Sequence, residues 1–127
     1  MLRKTQIVYF SKMGNVKRFV SRLSEQFEVC SIANYEKGEY ILITPTYGFG
    51  QIPQPVHDFL LQHGKNMIAV VGSGNKNWGV NYAKASRMVA NSYKVPLLMT
   101  FELSGVDNDL RKFEKIVEEF YETYWIK

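Results

Sequence analysis

Apolar residues along this chain fall alternately into short unbroken runs and into sets spaced by three or four, and that alternation predicts its elements. Residues 5–10 read as a buried strand. Residues 15–27 then place Val16, Phe19, Val20, Leu23 and Phe27 at helical spacing, with Lys17, Arg18, Arg22 and Glu25 between them. Strands follow at 28–32 and 40–44. Residues 55–63 predict a short helix carrying Val56, Phe59 and Leu60, with Pro55 in its first turn. Residues 67–72 form the fourth strand. A helix over 80–91 turns Tyr82, Ala85, Ser86 and Val89 inward, and 96–103 is the fifth strand. An amphipathic helix over 107–124 closes the chain through Leu110, Phe113, Val117, Phe120 and Tyr124, with Asp107 and Asp109 at its positive end.

Strands separated by helices imply a parallel sheet covered on both faces, because a parallel crossover needs a covering element and closes with one hand. The class is doubly wound α/β. One connection departs from the pattern: only residues 33–39 separate the second and third strands, too few for a helix. Seven extended residues reach about 23 Å, against about 10 Å sideways and about 15 Å back along a strand to cross one neighbour. An extended crossover fits, and it predicts a thinly covered stretch on one face of the sheet.

The 127 residues, 46% hydrophobic and 14% aromatic, suffice for one domain spanning 1–127 and not for two ordinary ones. With 22% charged residues, nine glycines and four prolines, the chain lies outside the disordered and low-complexity classes. Its apolar runs are far shorter than the roughly 20 residues of a membrane helix, and the amino terminus enters a strand without a signal-peptide stretch. A soluble cytoplasmic protein is expected, with no membrane partner. The net charge of +4 is spread over Lys4, Lys12, Lys17, Arg18, Arg22, Lys84, Arg87 and Lys94 without a dense stripe, which disfavours nucleic acid as a partner. An acidic protein surface or plain solvation uses such charge better. Cys30, the single cysteine, excludes an internal disulfide and reads as an inert thiol within a strand.

Ligands of open α/β sheets bind beyond the carboxyl ends of the strands, where strand order reverses, and the unusual residues collect there. Ser11-Lys12-Met13-Gly14-Asn15 opens directly into a helix, so its amides, with Ser11 and Asn15 as side-chain donors, suit an anion. A tight turn with an asparagine cap would serve the same residues. The spacing is neither that of a nucleoside-triphosphate loop nor that of a dinucleotide fingerprint, so a monophosphate fits best. Thr44-Pro45-Thr46-Tyr47-Gly48-Phe49-Gly50 carries paired glycines and an exposed aromatic. Gly72-Ser73-Gly74-Asn75-Lys76-Asn77-Trp78-Gly79 brings closely approaching amides beside a large aromatic surface where a planar heterocycle could stack. Singly, Tyr47 and Trp78 serve packing as readily as binding. Their coincidence with a phosphate-type loop favours a ligand.

These three segments, with Val95-Pro96-Leu97 and Phe101-Glu102-Leu103-Ser104-Gly105, resemble the flavodoxin-like FMN proteins, and within them the NrdI family of flavoprotein activators of class Ib ribonucleotide reductase. The likeness covers essentially the whole chain and implies a five-stranded parallel sheet in the order 2-1-3-4-5. By that resemblance FMN is the cofactor. Ser11, Lys12, Met13, Gly14, Asn15 and Val16 would surround its phosphate. Tyr47, Gly48, Phe49 and Gly50 would lie along its ring near N5, Asn75, Asn77, Trp78 and Gly79 would form the opposite wall, and Thr46, Ser73 and Gly74 would bind the cofactor beside them. Lys12 and Met13 stand where small hydroxyl residues are common in the family, exchanging hydroxyl donors for a cation.

The resemblance further implies a redox accessory rather than a conventional enzyme. In its reduced form it would react with molecular oxygen and supply superoxide or a related oxidant to the dimanganese small subunit, where the tyrosyl radical is assembled. An unidentified flavin reductant would recharge it. The flavin carries that chemistry, and no catalytic residue or metal ligand is expected; His57 and His63 read as surface or structural. The alternative is a short-chain flavodoxin carrying single electrons. Carriers of that kind are usually strongly acidic, whereas here Lys12 and Lys76 fall within the binding loops.

Overall fold

Strand β3, Tyr40–Thr44, is buried at every position and forms the centre of the sheet. The structure is a computed structural model that describes residues 5–48 and 50–126, the side chains of Trp125 and Ile126 excepted. Around β3 the chain runs β1 (Thr5–Tyr9), α1 (Asn15–Val20), β2 (Phe27–Ser31), β3, α2 (Gln54–His63), β4 (Met67–Gly74), α3 (Lys84–Tyr93), β5 (Leu97–Glu102) and α4 (Asp107–Ile126). All four strand pairings are parallel, in the order β2-β1-β3-β4-β5. The expected doubly wound α/β architecture and strand order are both present.

Alternation along the strands divides the core. Ile7, Ile41, Ile43, Val71 and Phe101 pack with Phe19 of α1 and with Phe113 and Val117 of α4. Val8, Leu42 and Val70 face the other way, onto Val56, Phe59 and Leu60 of α2 and Val89 of α3. The last turns of α4 return to the first layer through Phe120, Tyr121 and Tyr124, and the Tyr124 hydroxyl donates to Glu39 at 2.5 Å.

Two helices are shorter than their apolar spacing predicts. α1 ends at Val20, and three-residue bonds from Arg22 N–H to Phe19 and from Leu23 N–H to Val20 tighten the chain out of it. Phe27 is buried, but as the first residue of β2, opposite Thr5. α3 begins at Lys84 rather than near residue 80, because Gly79 (φ +57°) and Ala83 (φ +52°) take left-handed conformations that a continuous helix cannot contain.

The short crossover into β3 works by substituting aromatic cover for a helix. Tyr35 meets Tyr40, Phe59 and His63 at centroid distances of 5.0, 5.4 and 5.0 Å. Its hydroxyl donates to the Gly38 carbonyl (2.7 Å) and accepts from Asn66 Nδ2 (3.0 Å). Gln6 Nε2 donates to the carbonyls of Lys37 and Glu39. The thin cover therefore falls on the edge strand β2, where Glu28 and Val29 are exposed. Cys30 beside them is half-buried. Desolvation, followed by the carboxylates of Glu28 and Glu36, pushes its thiol up, which leaves little nucleophilic thiolate at neutral pH.

Candidate functional site

The loops after β1, β3 and β4 meet at the carboxyl end of the sheet, at the switch point between β1 and β3 where strand order reverses. They enclose a cleft of about 210 Å³. Ser11, Lys12, Met13, Asn15 and Val16 line it from the first loop, Pro45, Thr46, Tyr47 and Gly48 from the second, and Ser73, Gly74, Asn75, Trp78 and Asn81 from the third, with Leu103 at the end of β5. At this size it would hold a ligand along one side and leave the rest at the surface.

In the first loop Gly14 is left-handed (φ +91°), and a Cβ there would lie 2.7 Å from Arg18 Nη1. The Lys17 amide donates to Ser11 Oγ at 3.1 Å, so Ser11 caps the helix start as an acceptor. Asn15 Oδ1 accepts from Arg18 Nη2 (2.6 Å) and from Ser104 Oγ (2.8 Å), and Arg18 Nε donates to that same Ser104 oxygen (3.0 Å). The Ser11 O–H and the Asn15 amide NH₂ take no part in these bonds. Because α1 has only six residues, anion affinity here rests on these donors and the loop amides rather than on a long helix dipole.

The second loop is a tight hairpin: Tyr47 and Gln51 exchange backbone bonds of 2.9 and 2.7 Å around the turn. Gly48 (φ +52°) and Gly50 (φ +99°) allow that reversal. Tyr47 was expected exposed and is instead half-buried, with Phe10 at 6.1 Å and Lys12 Nζ 5.3 Å from its ring centroid. Its hydroxyl is buried without a hydrogen-bond partner, and desolvation pushes its pKa up. Thr46 Oγ1 accepts from the Ala85 amide (3.2 Å), joining this loop to the start of α3.

The third loop is braced from several sides. Asn75 Oδ1 accepts from the Asn77 amide (2.9 Å), the Lys76 amide donates to Glu102, and Ser73 Oγ donates to the Leu103 carbonyl (2.8 Å). Arg87 donates to the carbonyls of Tyr82 and Val80. Gly74 admits no side chain, since a Cβ would stand 2.5 Å from the Ala83 nitrogen. Trp78 lines the cleft while keeping 48% of its surface exposed.

Most of the expected residues therefore converge. Gly14, Gly50, Asn77 and Gly79 shape the loops without lining the cleft, and Phe49 lies outside the described residues. Pro45, Asn81 and Leu103 line it unanticipated as binding residues, although Pro45 and Leu103 stand in the segments that carry the resemblance. Amide and hydroxyl donors at one end, two aromatic side chains and an exposed lysine suit a planar ligand with an anionic tail. Among the described residues no carboxylate and no histidine lines the cleft. His57 is exposed on α2, and His63 stacks on Tyr35 and Phe59. Among the described residues no three His, Cys, Asp or Glu side chains are placed to hold a metal, and no helix is long and apolar enough to cross a membrane.

Strand order and cleft together define a protein of the flavodoxin type. A short-chain flavodoxin associated with a non-canonical PDU bacterial microcompartment superposes with a TM-score of 0.74 at 17% identity, over 96% of this chain and 99% of its own. The Streptococcus pneumonia TIGR4 flavodoxin gives 0.70 at 21% identity, over 95% and 99%. At such identities these likenesses speak to the fold. Family comparison is more specific: residues 7–115 match the NrdI flavodoxin-like family, and protein NrdI of Macrococcus caseolyticus (strain JCSC5402) is 48% identical over 118 residues, 91% of either chain. The chain belongs to the NrdI flavodoxin-like family, and is thereby a flavodoxin-type flavoprotein.

Proposed function

We propose that this chain binds FMN in the cleft and serves class Ib ribonucleotide reductase in the cytoplasm as an oxidant-supplying activator of the dimanganese small subunit. The observation that carries the FMN reading is the pairing, at the switch point, of a donor-rich loop with an aromatic wall free of carboxylates. The residues fit the group. Gly48 and Gly74 line the cleft without side chains, the buried Tyr47 hydroxyl lacks a partner of its own, and Ser11 and Asn15 retain donors for a phosphate. Ser11, Lys12, Met13, Gly14, Asn15 and Val16 would hold the phosphate. Thr46, Tyr47, Gly48, Phe49 and Gly50 would follow the ring, and Ser73, Gly74, Asn75, Asn77, Trp78 and Gly79 would face them.

The chemistry supplied by FMN when bound is transfer of electrons from its reduced form to molecular oxygen, after recharging by a separate flavin reductant. The chain's own residues bind, orient and tune. Lys12 and Lys76 are exposed beside the cleft, so anionic species meet a favourable field. At 10 Å in water one charge contributes only about 0.4 kcal/mol, so this is a modest bias and not a switch.

The test is to reduce the FMN-loaded protein without air, then readmit oxygen with the manganese-loaded small subunit present and follow tyrosyl radical by electron paramagnetic resonance. Radical formation dependent on the reduced protein supports the reading. Absence of radical, with ordinary single-electron donation to a reductase intact, would assign the chain as a carrier instead.

A further inference from the structure

Asn15 lines the cleft with a carboxamide whose two ends have opposite chemistry, and the side chains behind it determine which end faces an anion. Its Oδ1 accepts from both Arg18 Nη2 (2.6 Å) and Ser104 Oγ (2.8 Å). Arg18 Nε donates to Ser104 Oγ (3.0 Å), which closes a ring of three bonds. With Oδ1 occupied twice, the NH₂ end is the one left to donate. Arg22 holds the far side of this ring in place by donating to the carbonyls of Ser104 and Gly105. The absence of a side chain at Gly14 leaves room for the guanidinium, whose Nη1 would be 2.7 Å from a Cβ there.

We propose that Arg18 is a positioning residue, acting with Ser104 to lock the Asn15 carboxamide donor-outward and so to set the cleft's preference for a phosphorylated flavin over the unphosphorylated one. This rests on the FMN reading above. Arg18 acts by geometry as much as by charge. Its planar fork reaches two acceptors at once, which a single lysine ammonium cannot reproduce. Without the ring the carboxamide is free to turn its oxygen toward the phosphate.

The experiment is a flavin-fluorescence titration of the full chain with FMN and with riboflavin, for wild type, Arg18→Met, Arg18→Lys and Ser104→Ala, each checked by thermal melting. Arg18→Met and Ser104→Ala are expected to weaken FMN binding about tenfold while riboflavin affinity stays the same. Arg18→Lys should resemble Arg18→Met. An unchanged FMN-to-riboflavin ratio in Arg18→Met and Ser104→Ala overturns the proposal, and so does full recovery in Arg18→Lys, which would reduce Arg18 to a charge. Wild-type protein that retains neither flavin overturns the FMN reading itself.

Discussion

Trp78 separates binding from packing, the two uses of an aromatic residue that its sequence context leaves open. It lines the cleft and is 48% exposed. A tryptophan buries about 150–250 Å² when covered, so about 100 Å² remains for a ligand. At about 25 cal/mol per Å², complete cover would contribute about 2.5 kcal/mol, and cover of half that surface about 1.2 kcal/mol, or roughly tenfold in affinity. Trp78→Ala should therefore weaken FMN binding about tenfold; because the covered half of the indole contributes to the fold on the same scale, the affinity is read on protein that the melt shows to be folded at the assay temperature. Trp78→Phe should fall between the two. The assay is a flavin-fluorescence titration paired with a thermal melt. A Trp78→Ala protein with wild-type FMN affinity and a clearly lowered melting temperature would refute the reasoning, because it would show the indole packing rather than binding.

Three further outcomes follow from the geometry. A Cβ at Gly72 would stand 2.0 Å from Ser86 Oγ and 2.4 Å from Ser86 Cβ, so Gly72→Ala should cost about 1–3 kcal/mol of overpacking. Ser86→Gly, destabilising alone, should be stabilising in that background; additive effects in a denaturant double-mutant cycle would contradict this contact. Gly48 stands at φ +52°, a conformation closed to proline and open to asparagine. Gly48→Asn should keep FMN affinity within about threefold, whereas Gly48→Pro should lose most of it, and equal affinities would argue against the turn. Burial chiefly raises the pKa values of Cys30, Tyr40 and Tyr47, and for Tyr124 the hydrogen bond to Glu39 is the main cause. The folded state thus holds these protons more tightly than the unfolded chain. The resulting stability is complete below about pH 8.5 and is lost as pH rises through the ordinary cysteine and tyrosine values, near about 8.5 and 10, and beyond. Melting temperatures should fall from about pH 9 upward, and Tyr40→Phe should flatten that fall while losing the hydrogen bond to the His63 carbonyl.

The central strands were legible because they are compact apolar runs: residues 40–44 read as a strand and are one, whereas the edge strand β2, with Glu28 and Ser31 in it, begins at Phe27, one residue before its expected start; the crossover length implied the strand it passes over. Helix ends were less legible. Phe27 continues the spacing of Val16, Phe19 and Leu23, and only pairing with Thr5 shows that it belongs to a strand. Val80 looked like a helix start, yet left-handed backbone at Ala83, a residue type that rarely adopts it, delays α3 to Lys84. At the site, contiguous loop segments stood out by their glycines and aromatics. What sequence could not reveal was support from a distance: Ser104 lies 89 residues from Asn15, and Leu103 reaches the cleft only because β5 pairs with β4. Thr46 carries no local sign that it would accept from the Ala85 amide.

The most direct measurement is equilibrium dialysis of folded protein against FMN, read by visible absorbance of the retained flavin. One FMN per chain, with retention lost in a Trp78→Ala and Asn15→Ala double variant that its melt shows to be folded at the dialysis temperature, is the expected result. Correctly folded wild-type protein that emerges colourless would contradict the claim that the cleft between the three loops holds a flavin.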